Sequence, residues 1–360
     1  MNEKLRIPGG ASMSDQSQSH KGTQSLFVTA SLVIIIWGLT LAQSVIALFL
    51  VSIFLAVLGT PPALWLRRKG VPSAVAALIV ILAMVGVFLI VGVLVGTSLG
   101  DFTGSLPFYQ ERLQEQVQSL KVFLTSKGIE NIDKILTDYV NPASLMSLTA
   151  SLLSGLGSTL SNILLILLIV SFILLEAAGF PAKMKAAFGS RTSGSPPFMH
   201  VIEDINHYVV VKTGVSLSTG VLTGVWLVIL GVDFPVLWGF LAFLLNYVPN
   251  LGVIIAAVPA VLLALVQHGL GRALLVAAGY LAVNVVIGTI LEPRIVGRGV
   301  GLSTLVVFLS LIFWGRIFGL VGMVLCVPIT MTVRFALESN EETRWLAVLL
   351  GREPSASEGS

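Results

Sequence analysis

Residues 74–99 include no charged side chain, and neither do residues 148–175. A helix crosses the hydrocarbon core of a bilayer in about 20 residues, so each run is long enough to span it. The rest of the chain points the same way. Of its 360 residues, 55% are hydrophobic and 11% charged, whereas a soluble domain carries roughly 25% charged residues. With a mean hydropathy of +0.95, there is too little polar surface to cover a body in water. The predicted fold class is all-α, a polytopic helical membrane protein, because a helix satisfies its own backbone in lipid.

Other apolar stretches divide by their punctuation. Residues 26–58 are too long for one crossing and short for two. Gly38 and the Gln43-Ser44 pair near the middle predict a tight helical hairpin, ended by Pro61-Pro62. Single spans are predicted at 74–99, 148–175, 209–230 and 273–291. Two stretches are broken: 234–266 by Asn246-Tyr247-Val248-Pro249-Asn250-Leu251-Gly252, and 302–333 by the Gly-rich run from Gly315 to Gly322. Each arm has about 12 to 16 residues, which suits a broken or re-entrant hairpin.

Basic residues set an orientation. Lys4, Arg6 and Lys21, then Arg67, Arg68 and Lys69, then Lys183, Lys185 and Arg191, then Arg294 and Arg298 share one side if both termini are cytoplasmic. The predicted organisation is a disordered polar tail (1–25), first membrane helices (26–99), an extracytoplasmic segment (100–147), a membrane transport core (148–335) and a cytoplasmic tail (336–360). Met13 is a second candidate start. The outer segment holds four basic and six acidic residues. Its first helix is predicted to begin at Pro107 after a Ser105 cap. Tyr109, Leu113, Val117, Leu120 and Leu124 recur along it at helical steps. A second short helix is predicted at 129–139, before Asn141-Pro142. The segment reads as an amphipathic cover on the membrane or a neighbouring subunit, or as a mouth that gathers substrate.

No zinc-protease, P-loop or clustered Cys/His pattern is present, so catalytic residues and metal ligands are predicted to be none. His20 lies in the polar tail, and His200, His207 and His268 lie near membrane edges. The lone Cys326 forms no intrachain disulfide. No basic stripe interleaves with aromatics, which leaves nucleic-acid binding without a basis. The broken helices carry the functional signal. Unwound backbone in a membrane is tolerated where protein or a wet cavity satisfies it, and transporters use such breaks to bind solute and ions. Both breaks here precede an arm with a Val-Pro pair, Val258-Pro259 and Val327-Pro328. The alternative is two ordinary hairpins whose glycines serve packing.

Polar residues in apolar surroundings mark a candidate path: Asn246, Pro249, Asn250 and Gly252 at the first break, Asn284 mid-span, Glu292 at a helix end, and Arg316 at the second break. Glu292 has Arg294, Arg298 or Arg316 as candidate partners. Lys212 and Arg316 also fit a snorkelling role, and Asn284 fits an interhelical hydrogen bond. Glu176, Asp233 and Glu292 are the acids in or beside the later spans. If sodium or protons drive transport, Glu292 is the preferred carrier, because it adjoins both breaks in sequence.

The stretches EDINHYVVVK (203–212), LGVDFPVLWGFLAFLLNYVPNLGVIIAAVPA (230–260) and LEPRIVGRGVGLSTLVVFLSLIFWGRIFGLVGMVLCVPIT (291–330) together resemble the autoinducer-2 exporter family, or PerM-like permeases. The likeness is specific over the C-terminal half and agrees in layout over the N-terminal half. It implies about eight membrane helices and a bacterial inner membrane location with both termini inside. It also implies a homo-oligomer, with a pentamer as the candidate count. Members are associated with export of the quorum-sensing signal autoinducer-2, and others are described as sodium (or lithium)/proton antiporters. Motif residues carried over are Pro249, Gly252, Pro259, Glu292, Pro293, Gly315, Gly319, Gly322 and Pro328, with Pro259, Pro293, Gly315, Gly319, Gly322 and Pro328 as hinge or break positions. Glu176 departs from the usual residue at its place. The leading expectation is a secondary transporter exporting a small polar solute, with no cofactor beyond a coupling ion. An antiporter and a non-transporting membrane assembly protein are the alternatives. The partners expected are the lipid bilayer, the solute and copies of the chain.

Overall fold

A computed structural model describes residues 30–31, 33–126, 162–177, 179, 183, 197–249, 251–296 and 301–351. We number the helices α1 (Gln43–Arg68), α2 (Ser73–Ser126), α3 (Ile163–Ala177), α4 (Pro197–Ile229), α5 (Pro235–Leu245) and α6 (Gly252–His268). Next come α7 (Leu270–Val283), a π-helical stretch (Asn284–Leu291), α8 (Glu292–Val296), α9 (Thr304–Glu338) and α10 (Arg344–Leu350). Among the described residues the one β feature is a bridge between Leu302 and Gly351. Five helices are long and apolar enough to cross a membrane, and three shorter ones are apolar as well. Large apolar side chains cover their outer faces. On α2, Leu82, Leu89, Ile90 and Val93 are 60–64% exposed. Monomeric soluble proteins rarely expose such continuous patches, and lipid is the solvent that suits them.

Two sequence expectations fail at the N-terminal side. Residues 26–58 hold no hairpin among the described residues. The Ala42 amide donates to the Gly38 carbonyl at 3.0 Å and the Ile46 amide to the Ala42 carbonyl at 3.0 Å, so the helical ladder does not break. Nor do Pro61 and Pro62 end the helix, since α1 continues to Arg68. Each proline leaves the carbonyl four residues before it, on Val57 and Leu58, without its helical donor, and membrane helices tolerate such prolines where neighbouring groups compensate. Likewise α2 is one helix of 54 residues with Pro107 inside it, so no helix starts there. At 1.5 Å per residue it extends about 80 Å, far beyond a hydrocarbon core of about 30 Å. Residues 1–29, 129–139, Asn141-Pro142, 148–161 and 352–360 lie outside the described residues.

Packing uses small residues, as expected where lipid supplies no hydrophobic drive between helices. Ser52, Ala56 and Gly59 make one buried face of α1. A Cβ on Gly59 would sit 3.0 Å from Met84 and 3.3 Å from Leu174. The α4–α5 crossing is tighter: a Cβ on Gly239 would lie 2.8 Å from the Gly220 carbonyl and 3.2 Å from Gly224 Cα. Around that crossing Leu227, Leu237, Trp238, Leu263 and Val276 form the main buried core.

Both predicted breaks are present. Helices α5 and α6 are separate, joined by residues 246–251. The second break lies inside α9 at Gly319, whose φ of 61° and ψ of −140° depart from helix. The chain folds back there. The Trp314 indole donates to the Thr330 hydroxyl at 2.9 Å, sixteen residues on, a separation of about 24 Å along a straight helix. Arg334 likewise donates to the Gly301 carbonyl at 2.6 Å, which brings the two ends of α9 together.

Candidate functional site

One face of α4 is polar although it is buried. Lys212, Ser216, Thr219 and Thr223 fall at helical spacing, and each is at most 5% exposed. Charge at such a depth requires a partner. The Lys212 ammonium meets a Glu292 carboxylate oxygen at 2.5 Å, with side-chain exposures of 7% and 22%. Lys212 therefore does not snorkel, and Glu292 pairs with it, correcting the expected arginine partners. Arg298 lies outside the described residues, while Arg294 and Arg316 are exposed.

Backbone distortion places the carboxylate. Residues Asn284–Leu291 are π-helical, and the Glu292 amide donates to the Ile287 carbonyl five residues back. Such bulges shift side-chain phase and recur at functional sites. Pro293 follows at once and offers no N–H to continue the ladder.

The unwound link between α5 and α6 closes the site from the other side. Asn246 is buried and donates its amide to the Ser216 hydroxyl at 3.0 Å. The Tyr247 hydroxyl donates to Thr213 at 2.7 Å, and its ring packs edge-on against Phe54 and Phe243. Two hydrogen bonds thus tether the break to α4, within one turn of Lys212. Tyr208, one turn before Lys212 on α4, is buried as well.

The glycines make the folds possible. A Cβ on Gly252 would fall 1.7 Å from the Leu245 carbonyl, and one on Gly322 would fall 1.9 Å from the Trp314 carbonyl. Each hairpin thus begins its second arm with a glycine pressed on a carbonyl at the end of the first arm. A Cβ on Gly315 would lie 2.9 Å from the Met323 side chain, closer than normal contact. Pro249 is half-buried in the link, Pro259 is buried in α6, and Pro328 is half-buried in α9.

The structure does not unite every residue proposed from sequence. Asn284 is half-buried with its side-chain oxygen over Gly288, and it makes no side-chain hydrogen bond among the described residues. Arg316 is exposed on the first arm of α9. Asn250 lies outside the described residues. Of the other acids, exposed Glu176 pairs with Lys183. Asp233 accepts hydrogen bonds from the Tyr109 hydroxyl, at 2.9 Å, and from Gln267. Thr213, Ser216 and Tyr247 were missed as site residues. The polar positions at steps of three and four from Lys212, in an otherwise apolar span, were the signal available for Ser216 and its neighbours.

Comparison with known proteins identifies the family. Residues 29–341 match the family described as AI-2E family transporter. The chain is 40% identical over 329 residues to the AI-2 transport protein TqsA of Escherichia coli (strain K12), covering 91% of this chain and 96% of the relative. It is 36% identical to the putative transport protein YhhT of the same organism, covering 92% and 95%. A putative transport protein of Haemophilus influenzae is also 36% identical, covering 91% and 96%. These proteins are named for transport, not for an enzymatic activity. The family match across most of the chain and these identities establish that this chain belongs to the AI-2E transporter family, and its long apolar helices make it a membrane protein.

Proposed function

We propose that this transporter exports a small polar solute such as autoinducer-2, using the site between α4, the α5–α6 link and Glu292. The buried Lys212–Glu292 pair beside an unwound segment carries the reading. Two desolvated charges are costly unless each has a partner. A solute offering hydroxyls or a partial negative charge can take over part of that pairing as the site opens. The tethers Asn246–Ser216 and Tyr247–Thr213 exchange with solute contacts at little net cost, because hydrogen bonds replace hydrogen bonds. Gly252, Gly319 and Gly322 supply the turning points of the two hairpins. The similarity to a relative named as an AI-2 transport protein supports the solute.

Sodium or protons remain the proposed coupling ions, with Glu292 as the group that would respond to them. A homo-oligomer in the bacterial inner membrane with both termini cytoplasmic completes the proposal. Cation/proton exchange as the main activity draws no support from the family description or the relatives' names.

The test is efflux from proteoliposomes loaded with autoinducer-2, under separately imposed proton and sodium gradients. Protein-dependent efflux that responds to one gradient is expected, and Glu292→Gln is expected to remove that response. Efflux equal to protein-free vesicles under every gradient overturns the proposed substrate.

A further inference from the structure

We propose that α10 is an interfacial helix that lies on the bilayer surface and straps the base of the α9 hairpin to it. Its partner is the boundary between lipid headgroups and acyl chains.

The helix is short, RWLAVLL, and its faces differ sharply. Ala347 is buried, and Leu346 and Leu350 are half-buried, so these three positions face the protein. Trp345, Val348 and Leu349 are 61%, 65% and 66% exposed. At about 100° per residue, those three side chains occupy one continuous apolar arc of about 100°. Exposed Arg344 stands at the edge of that arc. An apolar arc carrying Trp, with a basic residue at its border, is the composition that settles at a membrane surface.

The position of the helix identifies the occupant. The Ser303 amide donates to the Leu350 carbonyl at 3.2 Å, and Leu302 and Gly351 form an antiparallel bridge. Ser303 caps the start of α9, its hydroxyl accepting from the Val306 amide. Arg334, near the far end of α9, holds the Gly301 carbonyl. The start of the hairpin, its end and α10 therefore lie at one level, where a membrane hairpin enters and leaves the bilayer. The lipid-facing side of the hairpin, with exposed Leu305, Leu309 and Ile312, begins at this level. Polar Ser339, Asn340, Glu341 and Glu342 form the turn before α10, as a chain in the headgroup layer requires.

The experiment uses the full chain in vesicles of phosphatidylethanolamine and phosphatidylglycerol. Spin labels are placed by Val348→Cys, Leu349→Cys and Glu342→Cys in a Cys326→Ala background. At positions 348 and 349 collisions with oxygen should exceed those with a polar nickel complex, and at 342 the order should reverse. Nickel-dominated collisions at all three positions would place α10 in water and overturn the proposal. Immobile labels shielded from both reagents at 348 and 349 would show a protein cover, which also overturns it. A second measurement keeps Cys326. The tryptophan emission lost in Trp345→Phe should be quenched more by lipids brominated near the headgroup than by lipids brominated at the chain end. Quenching by neither lipid would again refute the assignment.

Discussion

Replacing Lys212 by methionine removes one charge from the buried pair and strands the other. At an effective dielectric of about 20, unit charges 2.5 Å apart attract by roughly 6 to 7 kcal/mol. Desolvation of both groups offsets much of this, so the pair itself adds little net stability. Breaking it is a different matter. Removing one partner of a buried pair costs about 3–5 kcal/mol, because the remaining charge keeps its desolvation penalty. The Glu292 side chain retains 22% exposure, which places Lys212→Met at the lower end, about 3 kcal/mol. The double variant Lys212→Met/Glu292→Gln removes both charges and should recover most of that loss. Unfolding equilibria of the wild type, both single variants and the double variant, measured in one detergent, close the cycle. A coupling near 3 kcal/mol corresponds to about a 100-fold change in the unfolding constant. Additive effects, with a coupling below about 0.5 kcal/mol, would refute the buried pair. Transport then separates structure from function: the double variant should be stable but inactive, and wild-type flux from it would make the pair a packing element only.

The two hairpins give sharper steric tests. Gly252→Ala and Gly322→Ala drive a methyl group into a backbone carbonyl. Each should cost at least 3 kcal/mol or prevent folding, read as lost thermal stability. Gly86→Ala, with open space around its Cβ, should leave stability unchanged or raise it by about 0.5 kcal/mol, since alanine suits a helix interior better. Gly319→Ala should cost about 1–3 kcal/mol through backbone strain alone, checked in the same thermal scan. Thr330→Val leaves the Trp314 indole N–H without its acceptor and should cost about 1–3 kcal/mol, with a change in indole fluorescence as the local readout. Asn246→Leu should lower efflux more than it lowers stability, because it removes a tether of the unwound link. Equal flux in wild type and variant would argue against that tether as part of the path.

How much was legible in the sequence depended on the range of the interaction. Long uncharged runs required a membrane solvent and helices, because both follow from local composition. The two breaks were legible for the same reason: Pro249 with Gly252, and the cluster from Gly315 to Gly322, interrupt apolar periodicity where they stand. The hairpin placed in residues 26–58 failed because Gly38 and Gln43-Ser44 lower helix propensity only slightly, and a continuous backbone ladder outweighs that cost. Pro61, Pro62 and Pro107 misled in the same way, since proline in a membrane helix is weighed against its neighbours.

Charge pairing lay beyond the reach of sequence. Glu292 was singled out by its position after an apolar span, but nearness in sequence pointed to arginines for its partner. Lys212 stands eighty residues away, and only the packing of α4 against the π-helical stretch brings the two together. The sequence by itself determined the solvent, the helical class, the break points and the family. Tertiary structure decided which polar groups share a site, because a buried charge is satisfied by whichever neighbour the fold supplies, not by the nearest one along the chain.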